Sequence, residues 1–244
     1  MDLGINGKVA IVTGGSQGIG KAIATHLAAE GVRTVIGARA LQNLQRAAAE
    51  IESKTKAQVL PVQADVADLD AVKKLVASTV DTFGGVDILV NNAAGSGSGP
   101  LLELTDEDWL HHLNVKLVGY VRCAREVIPH MRQKNWGRIV NIGGEAARGA
   151  GGYASGAANS AVVNFTKKLS DELAGYGITV NAIGPTPIKT DLLRGIPPEK
   201  LERLISRQAI KRYGGTRDVI QVIDFFIDPA SDFVTGQVIF LGGV

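Results

Sequence analysis

The chain has 244 residues, 45% hydrophobic and 20% charged, with a net charge of +2. That length and balance suit one compact α/β or all-β unit with a full core, and they exclude disorder, collagen and coiled coil. No apolar run approaches the roughly 18 residues of a membrane span, the segment Met1 to Lys8 carries no apolar signal stretch, and a pI near 8.6 without a recognition motif argues against nucleic acid. A cytoplasmic protein with neither membrane nor nucleic-acid partners is expected. The single cysteine, Cys123, lies in an apolar-periodic stretch and reads as a small core residue.

In chain order, short β-branched runs alternate with helical patterns, as in a parallel sheet covered on both faces. Strands are predicted at Val9 to Thr13, Thr34 to Gly37, Gln58 to Gln63, Ile88 to Asn91, Arg138 to Ile142, Thr179 to Ile183 and Gln237 to Leu241. Helices are predicted at Ile19 to Glu30, Leu41 to Ser53, Leu69 to Phe83, Thr105 to Lys134, Ser155 to Gly175, Pro198 to Arg207 and Thr216 to Phe226. Thr105 with Asp106, Glu107 and Asp108 forms a capping signal, and Gly175 and Gly177 supply stops. The pattern Thr105 to Lys134 is long for one helix, so an irregularity is expected near Asn114 or Pro129. No linker interrupts the series, and residues 1–244 read as one domain with a short lid at about 186–211.

The first strand runs into Gly14-Gly15-Ser16-Gln17-Gly18-Ile19-Gly20 and then a helix. Glycines there let the backbone approach a pyrophosphate, which the free amides and positive dipole end of the helix would face. At the end of the second strand, Ile36-Gly37-Ala38-Arg39 offers a guanidinium where an acidic side chain would select an unphosphorylated ribose. The fork of Arg39 suits a 2′-phosphate, so NADP(H) is favoured over NAD(H), the alternative being that Arg39 merely stacks on adenine or faces solvent.

Thr13-Gly14-x-x-x-Gly18-Ile19-Gly20, Asn91-Asn92-Ala93-Ala94-Gly95 and Asn181-Ala182-Ile183-Gly184-Pro185 together resemble the short-chain dehydrogenase/reductase (SDR) family. The resemblance extends through Asp65-Val66, Asn114 and Thr235-Gly236-Gln237, over essentially the whole chain. It implies a Rossmann-type doubly wound sheet of seven parallel strands, a nicotinamide cofactor, a carbonyl or alcohol substrate and a homotetramer or homodimer. By the same resemblance Ser16, Gln17 and Ile19 are pyrophosphate and ribose contacts, Asp65 and Val66 the adenine pair, Asn91 and Ala93 contacts to the nicotinamide half, and Ile188 and Thr190 the carboxamide holders. No metal is implied.

The family usually carries a serine and a Tyr-x-x-x-Lys, and this chain departs from both. Aligned without gaps from Phe165-Thr166-Lys167 through Asn181, the tyrosine position falls on Ser155, the lysine position on Asn159 and the serine position on Gly144. No lysine occurs between Lys134 and Lys167, so no other register restores the motif. The candidate proton-transfer groups are Asn114, Tyr153, Ser155 and Asn159. Ser155 and Asn159 share a helix face four residues apart, but Ser155 also reads as a helix N-cap and Asn159 as a satisfied polar neighbour. Tyr153 reads as a pocket-lining aromatic placed just before the helix, and Glu145 as a solvated loop charge. In the lid, Leu192, Leu193 and Ile196 would line a pocket, while Lys189, Arg194, Lys200, Arg203 and Arg207 would face water. Thr186 stands where glycine is usual and would narrow the cleft or merely fill a loop. Val162, Phe165 and Leu169 serve equally as core or dimer face.

Three functions follow: an oxidoreductase with atypical proton-transfer groups; a cofactor-binding sensor or assembly subunit without turnover; and a lyase or isomerase using the same cleft.

Overall fold

The computed structural model describes residues 3–95, 99–149, 151–190, 199, 202, 205–206 and 208–243. Seven strands form one parallel sheet in the order β3-β2-β1-β4-β5-β6-β7. They are β1 Val9–Thr13, β2 Arg33–Ala38, β3 Val59–Gln63, β4 Ile88–Asn91, β5 Gly137–Ile142, β6 Ile178–Gly184 and β7 Val238–Phe240. The strands β1, β4, β5 and β6 are buried along their whole length, which is why they read as largely apolar, β-branched runs rather than alternating ones, broken by the buried polar residues Asn91, Arg138, Asn141, Thr179 and Asn181. Pro61 is accommodated because β3 is an edge strand.

Side chains alternate across the sheet and feed two cores. On one face Val12, Ile36 and Val90 meet α1 (Gly18–Ala29), α2 (Leu41–Thr55) and α7 (Thr216–Ile227) through Ile23, Leu44 and Phe226. On the other, Ile11, Leu89 and Val180 meet α3 (Leu69–Phe83), α5 (Gly119–Lys134) and α6 (Tyr153–Leu173) through Leu75, Val127 and Leu173. Val162 and Leu169 are buried in the chain's own core, and Phe165 packs against it. Cys123 is buried, and burial pushes its thiol up to about 12, so it behaves as a core residue.

The expected irregularity lies at Asn114. A short helix α4 (Asp106–His112), closed by a capping box of Thr105 and Asp108, passes into a π turn at Leu113–Val118 and then into α5. Pro129 is carried inside α5 without interrupting it. The lid residues Leu192, Leu193, Arg194, Ile196, Lys200, Arg203 and Arg207 lie outside the described residues, as does most of the predicted helix 198–207.

Candidate cofactor crevice and its catalytic wall

The sheet's strand order reverses between β1 and β4, and a crevice opens there beyond the strands' carboxyl ends. Its two lips are laced together. Thr13 Oγ accepts from the amides of Asn92 (2.9 Å) and Ala93 (3.2 Å), and Asn92 Nδ2 donates to the carbonyls of Thr13 (3.0 Å) and Gly14 (3.3 Å). Asn92, which the sequence reading passed over in favour of Asn91, is therefore the buttress of the glycine turn. Its doubled Asn-Asn motif was the available signal.

Gly14 (φ 65°) and Gly18 (φ 56°) take left-handed backbone that side chains rarely adopt. Gln17 is the exposed N-cap of α1, in extended backbone, and no side chain caps it. The first intrahelical bond runs from the Lys21 amide to the Gln17 carbonyl (3.2 Å), which leaves the amides of Gly18, Ile19 and Gly20 unspent, and no acid lies in the first turn. That donor set fits a pyrophosphate. Ser16 is half-buried in the same turn, and Ile19 packs its side chain on the first core. Thr190 approaches this loop from the far side, since a Cβ on Gly18 would stand 3.9 Å from its own Cβ. Ile188, two residues before, is anchored by a parallel bridge to Gly214.

Arg39 is exposed just past β2 and pairs with no carboxylate among the described residues. Its carbonyl accepts from Gln63 Nε2 at 2.8 Å, which ties the two strand ends. Asp65 folds its carboxylate back on the Ala67 amide (2.9 Å), leaving one oxygen unused by that bond. Val66 points its side chain inward, packing so closely on Gly119 that a Cβ there would lie 2.8 Å from Val66 Cγ2. Any contact from Val66 to a ligand must then come from its backbone, whose carbonyl already accepts from Arg122 (3.2 Å).

Asn91 is wholly buried and donates to Asn141 Oδ1 (2.9 Å), while Asn141 Nδ2 donates to Thr166 Oγ (3.0 Å). Its side chain therefore braces β4 to β5 and α6. Ala93 gives its amide to Thr13 and its carbonyl to the Tyr120 hydroxyl (3.1 Å), which also reaches the Ile142 carbonyl (2.9 Å).

The residues expected to manage the proton depart from several expectations. Tyr153 is the first residue of α6, not a residue before it; it is 56% exposed and its hydroxyl makes no hydrogen bond among the described residues. Gly152, not Ser155, is the N-cap of α6, and Ser155 Oγ donates back to the Gly152 carbonyl (3.0 Å). Asn159 Nδ2 donates to the Ser155 carbonyl (2.7 Å), and its buried Oδ1 has no partner among the described residues. Asn114, inside the π turn, accepts from Arg122 Nη1 (2.8 Å) and lends its carbonyl to the Gly119 amide. Glu145 is not a solvated loop charge: it is half-buried, and burial raises its carboxyl above the usual range. Thr186 is buried against Gly242 and does not merely fill a loop.

Lys116 was not foreseen. It is 8% exposed, its Nζ donates to the Gly143 carbonyl (3.2 Å), and burial pushes its ammonium down to about 8. The sequence did hold a signal: Lys116, Tyr120, Cys123 and Val127 fall on one helical stripe, and the other three are core residues.

A doubly wound sheet with an uncapped, glycine-approached helix at its switch point defines a dinucleotide-binding protein. The short chain dehydrogenase family model matches residues 8–201. The chain is 36% identical over 242 residues to the (2S)-[(R)-hydroxy(phenyl)methyl]succinyl-CoA dehydrogenase subunit BbsD of Thauera aromatica, covering 99% of this chain and 97% of that one. It is 36% identical over 241 residues to the 3-oxoacyl-[acyl-carrier-protein] reductase FabG of Thermotoga maritima, covering 98% of each. The L-sorbose reductase of Gluconobacter frateurii, solved with NADPH and L-sorbose, superposes with a TM-score of 0.92 at 32% identity, over 100% of this chain and 98% of that one. The chain belongs to the short-chain dehydrogenase family, a family of oxidoreductases. Among the described residues no helix is long and apolar enough to cross a membrane, and no cluster of three metal-ligating side chains occurs.

Proposed function

We propose that the chain is an NADP(H)-dependent oxidoreductase acting on a small carbonyl or alcohol compound, with proton-transfer groups unlike those usual in its family. The observation that carries the reading is the uncapped start of α1 facing the β1/β4 crevice, with the unpaired guanidinium of Arg39 beside it. The first supplies donors for the pyrophosphate, and the second a charge-assisted fork for a 2′-phosphate. Asp65 and the Val66 backbone would receive the adenine, and Ala93, Ile188 and Thr190 the nicotinamide end. Asn91 would act there through its backbone, because its side chain is wholly buried in the sheet and gives Nδ2 to Asn141, with Oδ1 buried and without a partner among the described residues. A bound nicotinamide would supply or accept the hydride. The chain's own residues would hold it at the crevice and manage the proton. The reductase relatives, one printed with NADPH, support this choice of chemistry. A homo-oligomer, one domain with its lid, and a cytoplasmic setting complete the reading.

Calorimetric titration of the wild type and Arg39→Ala with NADPH and NADH tests it. The expected result is tighter binding of NADPH, weakened about tenfold or more by the substitution, or ~1.4 kcal/mol. Reduction of ethyl acetoacetate, L-sorbose and other ketones by NADPH is then followed by nicotinamide absorbance. Absence of binding by either nucleotide would overturn the reading. Binding without any turnover would favour the sensor or assembly role, to which the engaged hydroxyl of Ser155 lends support.

A further inference from the structure

A buried ammonium lies in the wall of the crevice where the family's usual cation is missing. Lys116 reaches out of the π turn and gives one N–H to the Gly143 carbonyl at 3.2 Å. An ammonium has three donors, and no carboxylate pairs with this one among the described residues. Buried lysines are ordinarily paired, because a charge taken out of water without a counter-charge is strongly disfavoured.

The same short segment faces Asn159. A Cβ on Gly143 would stand 3.7 Å from Asn159 Oδ1, and one on Gly144 would stand 3.3 Å from the same atom. That oxygen is buried and accepts no hydrogen bond among the described residues. Spare donors on Lys116 and an unused acceptor on Asn159 are thus both borne on the Gly143-Gly144 segment at the carboxyl end of β5, and two buried polar groups left short of partners on one segment are what a bridging water satisfies. The glycine at 144 is part of this arrangement, since a larger residue would crowd the carboxamide.

We propose that Lys116 is the proton donor for carbonyl reduction, passing its proton through a water held between its ammonium and Asn159 Oδ1. The inference rests on the oxidoreductase reading above. Once the substrate carbon has accepted hydride from reduced nicotinamide, the former carbonyl oxygen holds the electron pair and needs a proton. An Nζ–H bond of Lys116 breaks, the water hands its proton on, and an O–H bond forms on the substrate. The amine is left neutral and regains its proton from solvent. In the alcohol-oxidising direction each transfer reverses.

Burial alone lowers the Lys116 ammonium to about 8, so both of its forms are accessible near neutral pH. The elements packed on the π turn carry titratable and charged groups that include Tyr120, Arg122 and Cys123 on α5, Asp106, Glu107, Asp108, His111 and His112 on α4, Glu145 and Arg148 after β5, and Tyr153, Lys167 and Lys168 on α6. Burial raises the Tyr120 hydroxyl, which therefore stays protonated, and no ion pair joins Glu145 to Lys116 among the described residues.

The test compares NADP⁺ with NADPH binding by calorimetry at pH 8, in two buffers of different ionisation heat. A positively charged oxidised ring near Lys116 would drive off part of its proton. The wild type should therefore release a larger fraction of a proton with NADP⁺ than with NADPH. Lys116→Met should erase that difference while retaining both nucleotides. Lys116→Arg, which keeps the charge but does not titrate, should erase it as well and serves if the methionine variant fails to fold. For the ketone reduced fastest in the screen, Lys116→Met should slow single-turnover reduction by about 10²-fold or more and remove the fall in rate above about pH 8. Equal proton release by the wild type and both variants would overturn the inference and leave Lys116 a tie between the π turn and β5. Failure of the wild type to bind either nucleotide would instead remove the functional reading, and this inference with it.

Discussion

At Gly20 a methyl group would overlap both Asn92 Nδ2 and the carbonyl of Gly14, and neither is the free end of a flexible side chain. Both atoms already bond each other across the crevice. Gly20→Ala should therefore open the glycine turn, costing about 1–3 kcal/mol in stability and abolishing measurable NADPH binding. Thermal unfolding and calorimetry on the same sample read the two effects. One layer deeper, the Tyr120 hydroxyl reaches the carbonyls of Ala93 and Ile142 from a fully buried position. Tyr120→Phe keeps the packing and strips the donor, so a loss of about 1–2 kcal/mol is expected in urea denaturation. Single atoms set the geometry here because two backbone ends, β4 and β5, converge on one side chain.

Helices α1 and α7 are joined by His26 Nε2 and Asp224 Oδ1 at 2.6 Å. The hydrogen bond to Asp224, together with its charge, raises the His26 pKa above 6.5 despite the opposing effect of burial. Its contribution is thus fully present below about pH 6.5, the unfolded value, and fades as pH rises through the higher folded value. His26→Gln should cost about 0.5–1 kcal/mol at pH 6, given its partial exposure, and nearly nothing at pH 9, measured as the difference in denaturation midpoints. The elements themselves were largely legible. The ends of β1, β4 and α3 coincide with their sequence signals, because apolar runs and turn residues change abruptly there, as at Asp68, which caps α3, and Gly84 (φ 82°), which ends it. The start of α6 was less so: Gly152 caps it with no side chain to announce the fact. For Asn91 the motif fixes where the residue stands but not where its side chain turns, and the structure directs that side chain into the sheet toward Asn141. Lys116 was missed because charge normally marks the wet face of a helix, and only tertiary burial reverses that rule.

Across the whole molecule, the ends of the sheet divide the labour. The carboxyl ends carry the glycine turn, Arg39, Asn159 and Lys116. At the amino ends Asp87, with its side chain 5% exposed, accepts from the Val9 amide (2.8 Å) and from Lys134 Nζ (2.7 Å), joining β1, β4 and the end of α5. Arg138, also buried, gives Nη1 to the carbonyls of Gly137 (3.0 Å) and Gly177 (3.4 Å). Removing the carboxylate in Asp87→Ala would strand a buried amide, and a loss of about 2–4 kcal/mol is expected with little change in NADPH affinity. Parallel equilibrium denaturation and calorimetry measure both, and a large fall in affinity would contradict the separation.

The Asp87 clasp fastens the strands at the end opposite the crevice. Because the strands are fastened at a distance from the crevice, the residues around a reacting carbonyl can be exchanged without the scaffold having to be reinvented. On the proposed reading, a chain that lacks a phenol and an ammonium on one helix would draw a different ammonium from its neighbour and still fold along the same lines. Mechanistic novelty in such a scaffold is a matter of local substitution, and its raw material is whatever polar group happens to be buried within reach.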